Sequence, residues 1–298
     1  MKESWQKLGI LAGGGGLPAA VVKACEAIGT HYRLVKLKGY ADENLDPYDG
    51  DLCQLAELGK IIKSLKDNNC DAVVLVGNVS RPNFSQIRPD WQGAKLLPKI
   101  IKAARHGDGA LLEVLVGYFT EEGFKVIGAD DVAAPLKAPQ GQIGEYSPSP
   151  EDMEDMQKAS QLVAALGPFD VGQGAVVRDG YVIAIEAAEG TDKMLERCLH
   201  LFTDHIEDQP DAPKGVLLKR PKPKQELRVD LPTIGVETVK RVAEAGLAGI
   251  AVEAGKALIV EKKEVIAAAN AKGIFIYGYR SEDLPPPSAS QPPHLDHD

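Results

Sequence analysis

Residues 7–16, KLGILAGGGG, run a short apolar strand directly into four consecutive glycines, and an apolar-periodic helix follows over residues 17–28. A strand that leaves through a glycine turn into a helix is a β-loop-α unit, which commits the chain to an α/β architecture. Residues 71–76, DAVVLV, support this, because a nearly all-apolar strand belongs to a parallel sheet covered on both faces. If the strands are parallel, the loop at 13–16 and the segment GNVSRP at 77–82 share one sheet edge, bringing Gly15, Gly16, Leu17, Gly77, Asn78 and Arg81 to one crevice. Glycines let amides approach an anion and the helix adds its positive end, so a phosphate cradle is one reading; a tight turn without a ligand is the other. Neither nucleotide fingerprint is complete. No Lys-Ser or Lys-Thr follows at P-loop spacing, Pro18 stands where GxGxxG needs its third glycine, and the strand 32–37 is flanked by Lys36 and Lys38 instead of an acidic ribose ligand. A dehydrogenase is therefore excluded.

The chain has 298 residues, too many for one typical domain, so two cores are expected. A helix over 58–65 carrying Lys60 and Lys63, helices over 94–104 and 109–122, and a strand at 125–127 complete a first domain over residues 1–130. Residues 131–148 are rich in Pro and Gly and lack periodicity, and so read as a linker. A second α/β domain over 149–282 opens with a helix capped near Ser149, with a ligand cleft expected between the domains. In it, strands at 174–178 and 181–186 meet at Asp179-Gly180, a hairpin signal, and a helix starts at Gly190-Thr191. Glu186, Glu189 and Asp192 cluster there, either as partners of a cation beside an anion site or as acids complementing a helix start. Gln173, between two glycines, is either a ligand amide or a turn residue. Residues 283–298 are a proline-rich tail, expected to be disordered.

Lys214, Lys219, Arg220, Lys222, Lys224 and Arg228 form a basic run in a chain of formal charge −9. A solvated strand edge explains such a run, with anion steering or contact with acidic lipid headgroups as the other reading. The overall acidity excludes a general nucleic-acid binder. Four scattered cysteines without CxxC and six histidines without HExxH argue against zinc and disulfide scaffolds and for a reducing cytoplasm. No run reaches the length of a membrane span. The basic run ends in RVDLP, where Leu227 and Val229 alternate with Arg228 and Asp230 as a short strand would, and Pro232 is expected to open a helix near Thr233. Asp230 then stands at a strand's carboxyl end, where it holds a cation or orients a water, or else caps the following helix.

GILAGGGGLP (9–18), GNVSRP (77–82), DVGQGAVV (170–177), EAAEGTD (186–192) and QELRVDLPTIG (225–235) together resemble the LpxI family of UDP-2,3-diacylglucosamine pyrophosphatases, over residues 8–278. The resemblance implies a Rossmann-like α/β N-terminal domain and a C-terminal α/β domain, substrate in a cleft between them, and hydrolysis of the diphosphate to UMP and 2,3-diacylglucosamine 1-phosphate (lipid X), a step towards lipid A. It also implies Mg²⁺ or another divalent cation, whose ligands the sequence leaves unknown, and water attacking the phosphorus nearer the sugar. Asp230 is the aspartate that the family needs for activity. Gly15, Gly16, Leu17, Lys60, Asn78, Gln173, Gly190 and Thr191 are the expected substrate-binding residues. A cytoplasmic enzyme follows, with peripheral contact at the inner face of the cytoplasmic membrane as a further expectation. A nucleotide-sugar phosphotransferase and a non-enzymatic lipid- or nucleotide-binding module are the rival readings.

Overall fold

The computed structural model describes residues 5–80, 88–105, 107–204, 213–223 and 226–284. Arg81, Lys224 and the tail beyond Leu284 therefore lie outside the described residues. The chain divides into two compact units, one formed by Met1–Lys137 with Lys224–Leu231, the other by Ala138–Pro223 with Pro232–Asp298.

The first unit contains β1 (Lys7–Ala12), α1 (Leu17–Ala27), β2 (His31–Leu37), β3 (Gly50–Cys53), α2 (Leu58–Asp67), β4 (Ala72–Val76), α3 (Trp91–Ala104), α4 (Asp108–Glu121), β5 (Lys125–Val126) and α5 (Ala129–Val132). Among the described residues its sheet has five strands, ordered β3-β2-β1-β4-β5 and parallel at every pairing. The chain leaves β1 towards β2 on one side and later returns to β4 on the other. The carboxyl ends of β1 and β4 thus flank the point where strand order reverses, the place where such sheets bind ligands. Helix α2 forms because Leu58, Ile61, Ile62 and Leu65 recur at i, i+3, i+4 and i+7, and all four are buried. Gly9 lets that face approach β1, since a Cβ there would stand 2.4 Å from Leu65 Cδ2.

The second unit contains β6 (Gly141–Ile143), α6 (Pro150–Leu166), β7 (Gly174–Arg178), β8 (Tyr181–Ile185), α7 (Gly190–Asp204), β9 (Val216–Lys219), β10 (Thr233–Ile234), α8 (Val236–Glu244), β11 (Gly249–Glu253), β12 (Leu258–Ile259), α9 (Lys262–Lys272) and β13 (Phe275–Tyr279). Its six-stranded sheet runs β6-β13-β11-β9-β7-β8 among the described residues, with a separate β10-β12 pair. Alternate strand residues face opposite layers. Val176, Leu217, Ile250 and Ile276 join a core with residues of α7, α8 and α9, whereas Ala175, Leu218, Ala251 and Phe275 pack on Met156, Ala159 and Val163 of α6.

The expected linker at 131–148 is ordered. It carries the end of α5, a short 3₁₀ turn and β6, which pairs antiparallel with β13. The close approach needs a glycine on β13, because a Cβ on Gly278 would stand 1.7 Å from the Pro139 carbonyl oxygen. Gly278→Ala is expected to cost about 1–3 kcal/mol through overpacking. In a thermal melt that lowers Tm by about 5 °C; an unchanged Tm would detach β6 from β13.

Candidate functional site

The glycine loop is braced by the segment after β4. Gly13 N–H donates to the Val76 carbonyl at 2.8 Å, and Gly14 exchanges backbone hydrogen bonds with Asn78 at 2.9 and 2.8 Å. Both segments need glycine for this: Gly77 has φ +91°, and a Cβ on it would lie 2.6 Å from Gly14 O. Gly15, at φ +88°, gives its amide to the Asp42 carboxylate, and its carbonyl accepts from Asn44 Nδ2 at 3.2 Å. The first three loop amides thus have protein acceptors. Gly16 and Leu17, at the start of α1, have amides without an acceptor among the described residues. The anion-binding part of the expected cradle contracts to the helix start, with the Asn78 side-chain amide beside it, 3.6 Å from where a Gly15 Cβ would be.

Lys60 stays at the end of β3, two strands from the glycine loop. Its ammonium donates to the Leu52 carbonyl at 2.9 Å and lies 3.6 Å from Glu57. The structure does not bring it to Gly15 or Asn78.

Asp230 does not end a strand. Residues 227–229 form a turn closed by Val229 N–H on the Glu226 carbonyl at 3.2 Å. Glu226 also holds the Arg228 guanidinium in two bonds, at 2.9 and 2.6 Å. Val229 packs against the first unit's core, and by its contacts Asp230 groups with that unit. Pro232 precedes not a helix but β10, whose Thr233 and Ile234 pair with β12, and α8 starts only at Val236. A four-residue alternation is too short to separate strand from turn when an i, i+2 ion pair closes the turn.

In the second unit, β7 runs antiparallel to β8 and β9, so the start of β7 and the ends of β8 and β9 meet at one edge. Glu186 follows β8, and its carboxylate accepts Gln173 N–H at 3.2 Å and Thr191 Oγ1–H at 2.7 Å. The glycines around Gln173 make room for it: a Cβ would lie 2.0 Å from Glu186 O at Gly172, and 2.9 Å from Glu186 Oε2 at Gly174. Lys219, the last residue of β9 and 8% exposed, donates to Thr191 Oγ1 at 2.8 Å and to the Thr233 carbonyl at 3.3 Å. Gly190, at φ +79°, turns the chain into α7, and the amides of Thr191 and Asp192 have no acceptor among the described residues. Gln173, Gly190 and Thr191 therefore converge around a buried ammonium and the open start of a helix. That combination is suited to a phosphate oxygen.

Three members of the basic run are turned inward and do not form a solvated edge, while Lys214 is exposed. Besides Lys219, Arg220 reaches Ser160 Oγ at 2.9 Å and lies 3.5 Å from Glu253, and Lys222 bonds to Asp170. Lys219, beside Thr191, is the candidate that the run concealed. The signal was the apolar VLL before it, which marks a buried strand.

Glu189 is engaged elsewhere, with Arg197 at 2.9 Å. Its own backbone amide first, then that guanidinium, hold its carboxyl below the usual range. Among the described residues no three His, Cys, Asp or Glu side chains gather into a metal cage. The four cysteines are buried and unpaired, and burial pushes the Cys25 and Cys198 thiols up to about 11, away from thiolate chemistry.

Comparison with known proteins covers nearly all of this. A family model for the LpxI N-terminal domain matches residues 7–136, and one for the LpxI C-terminal domain matches 139–277, meeting where the two units divide. The UDP-2,3-diacylglucosamine pyrophosphatase LpxI of Caulobacter vibrioides is 48% identical over 280 residues, 94% of this chain and 100% of that protein. A solved structure of N5-carboxyaminoimidazole synthase from Aspergillus clavatus matches at 13% identity and a TM-score of 0.21, over 63% of this chain and 42% of that one, a likeness too slight to bear on fold or activity. With both domain models spanning the chain and a near half-identical relative matched along its whole length, this protein belongs to the LpxI family.

Proposed function

We propose that this protein hydrolyses the diphosphate of UDP-2,3-diacylglucosamine, releasing UMP and 2,3-diacylglucosamine 1-phosphate. The observation that carries the reading is the 48% identity, over the relative's full length, to a protein named for that reaction. Two anion-suited helix starts, at Gly16-Leu17 and at Gly190-Thr191, support it chemically. A water oxygen forms the new bond to phosphorus, the bond to the bridging oxygen breaks, and that oxygen leaves on the other phosphate.

A diphosphate repels the approaching lone pair, so its charge must be offset. In our reading Lys219 and the first amides of α7 take phosphate oxygens in the second unit, with Thr191 and Gln173 held in place by Glu186. Gly16, Leu17 and Asn78 serve the same end in the first. Asp230 supplies the carboxylate that orients the attacking water. Asp230 would be the carboxylate that holds Mg²⁺ together with substrate phosphates, as an alternative to orienting the water itself. When bound, the cation would supply further charge neutralisation on the phosphates.

Incubation with UDP-2,3-diacylglucosamine and Mg²⁺ in ¹⁸O-labelled water tests the reading. The expected result is UMP release with label in one of the two phosphate products. Absence of UMP, or delivery of the phosphoryl group to an added alcohol in place of water, would overturn it.

A further inference from the structure

The cations of α3 contrast with the inward-turned Lys219, Arg220 and Lys222. From Trp91 to Arg105 the sequence WQGAKLLPKIIKAAR contains Lys95, Lys99, Lys102 and Arg105 and no acidic residue, within a chain of net charge −9. Leu96, Ala103 and Ala104 are buried against the unit, which leaves Lys95, Lys99, Lys102 and Arg105 exposed together with Ala94 and Pro98. Asp90, which precedes the helix, is turned away: its carboxylate caps Gly93 N–H at 2.8 Å and accepts Lys60 N–H at 3.1 Å.

Helical spacing splits the outward face lengthwise. Leu97, Ile101, Ala94 and Pro98 fall on one flank with Arg105 at its end, Lys95, Lys99 and Lys102 on the other, and Trp91 between them. An open groove lined by Ala94, Leu97, Pro98, Ile101, Lys102 and Arg105 runs along the apolar flank. Trp91 is 75% exposed, with Lys95 Nζ 4.9 Å from its ring centroid. Lys95, Lys99 and Arg105 pair with no carboxylate among the described residues.

We infer that the outward face of α3 docks this protein on a bilayer surface bearing anionic phospholipid headgroups. A basic flank beside an aliphatic one, with a tryptophan at the boundary, is the pattern of a helix that lies in the membrane interface without crossing it. Among the described residues no helix is long and apolar enough to cross. Nucleic acid would meet the cations but leave the Leu97, Pro98 and Ile101 flank without a role. The acidity of the rest of the chain is repelled by the same surface, so it orients the molecule with α3 towards the headgroups. The inference goes beyond the hydrolase reading and places a surface where a diacylated substrate would be met.

Co-sedimentation of the full chain with vesicles tests it. Vesicles of phosphatidylcholine containing one part in three of phosphatidylglycerol are expected to pellet the protein at low salt, and phosphatidylcholine alone is not. Replacing Lys95, Lys99 and Arg105 together by Gln is expected to weaken binding about a hundredfold, with an unchanged thermal melt. In a Trp5→Phe background Trp91 is the remaining tryptophan, and its emission is expected to shift to the blue on anionic vesicles alone. No pelleting on anionic vesicles, equal pelleting of the triple variant, or equally tight binding to duplex DNA would overturn the inference. Turnover plays no part in these readouts, so their failure is distinct from failure of the hydrolase reading.

Discussion

Asp230→Ala is expected to lower kcat by roughly 10² to 10⁴-fold, the range of a lost general-base or water-orienting contribution, while leaving substrate affinity intact or tighter. The tighter binding follows from charge: removing a carboxylate beside an anionic diphosphate relieves ground-state repulsion, so the variant is expected to purify with nucleotide-lipid attached. The turn carrying Asp230 has supports that the substitution leaves in place, namely the Glu226–Arg228 pair and Val229 packed on the first unit's core. A near-normal thermal melt is therefore expected alongside the lost turnover. A helix-capping role would give the opposite pattern, about 1 kcal/mol of stability lost with activity retained; β10, not a helix, follows Pro232. Should the variant melt normally and release UMP at the parent rate, Asp230 leaves the mechanism.

Much of the architecture was legible because its signals are local. Four glycines after an apolar strand, the helical spacing of apolar residues in α2, and Asp179-Gly180 between two strands each specify backbone geometry without distant partners. Asp179 and Gly180 take φ +49° and +77°, as a tight hairpin requires. What stayed hidden depends on partners far along the chain. Strand β6 exists because β13 offers it an edge, and its Pro- and Gly-rich surroundings read as a loop until that edge is known. Strand β9 was masked by its own charges, since a lysine buried at a strand end looks in sequence like one in water. The motif at 225–235 showed the reverse error: two alternating residues suggested a strand where an ion pair makes a turn. Of the expected site residues, Gly15, Gly16, Leu17 and Asn78 gather at one sheet edge and Gln173, Gly190 and Thr191 at another, while Lys60 is tied to β3.

Lys219→Met is expected to reduce kcat/KM by about 10- to 10²-fold, the loss of a charge-assisted hydrogen bond to a phosphate oxygen at roughly 1.5–3 kcal/mol. The loss should fall mainly on KM, because an ammonium that grips a phosphate does so before and during bond breaking. Stability separates this role from a structural one. Lys219 is buried, and its Nζ has a hydroxyl and a carbonyl as partners but no carboxylate among the described residues. A buried cation without a counter-ion is costly in the unliganded protein, and an apolar side chain of similar length relieves that cost. Methionine should therefore hold or raise Tm while weakening the substrate. Arginine is not expected to rescue, since its planar fork does not fit the point donated to Thr191 Oγ1. A lysine that merely braces the start of α7 through Thr191 would behave otherwise, lowering Tm on replacement and leaving KM where it was. If Lys219→Met melts early and binds substrate normally, the phosphate contact moves from Lys219 to the helix amides alone.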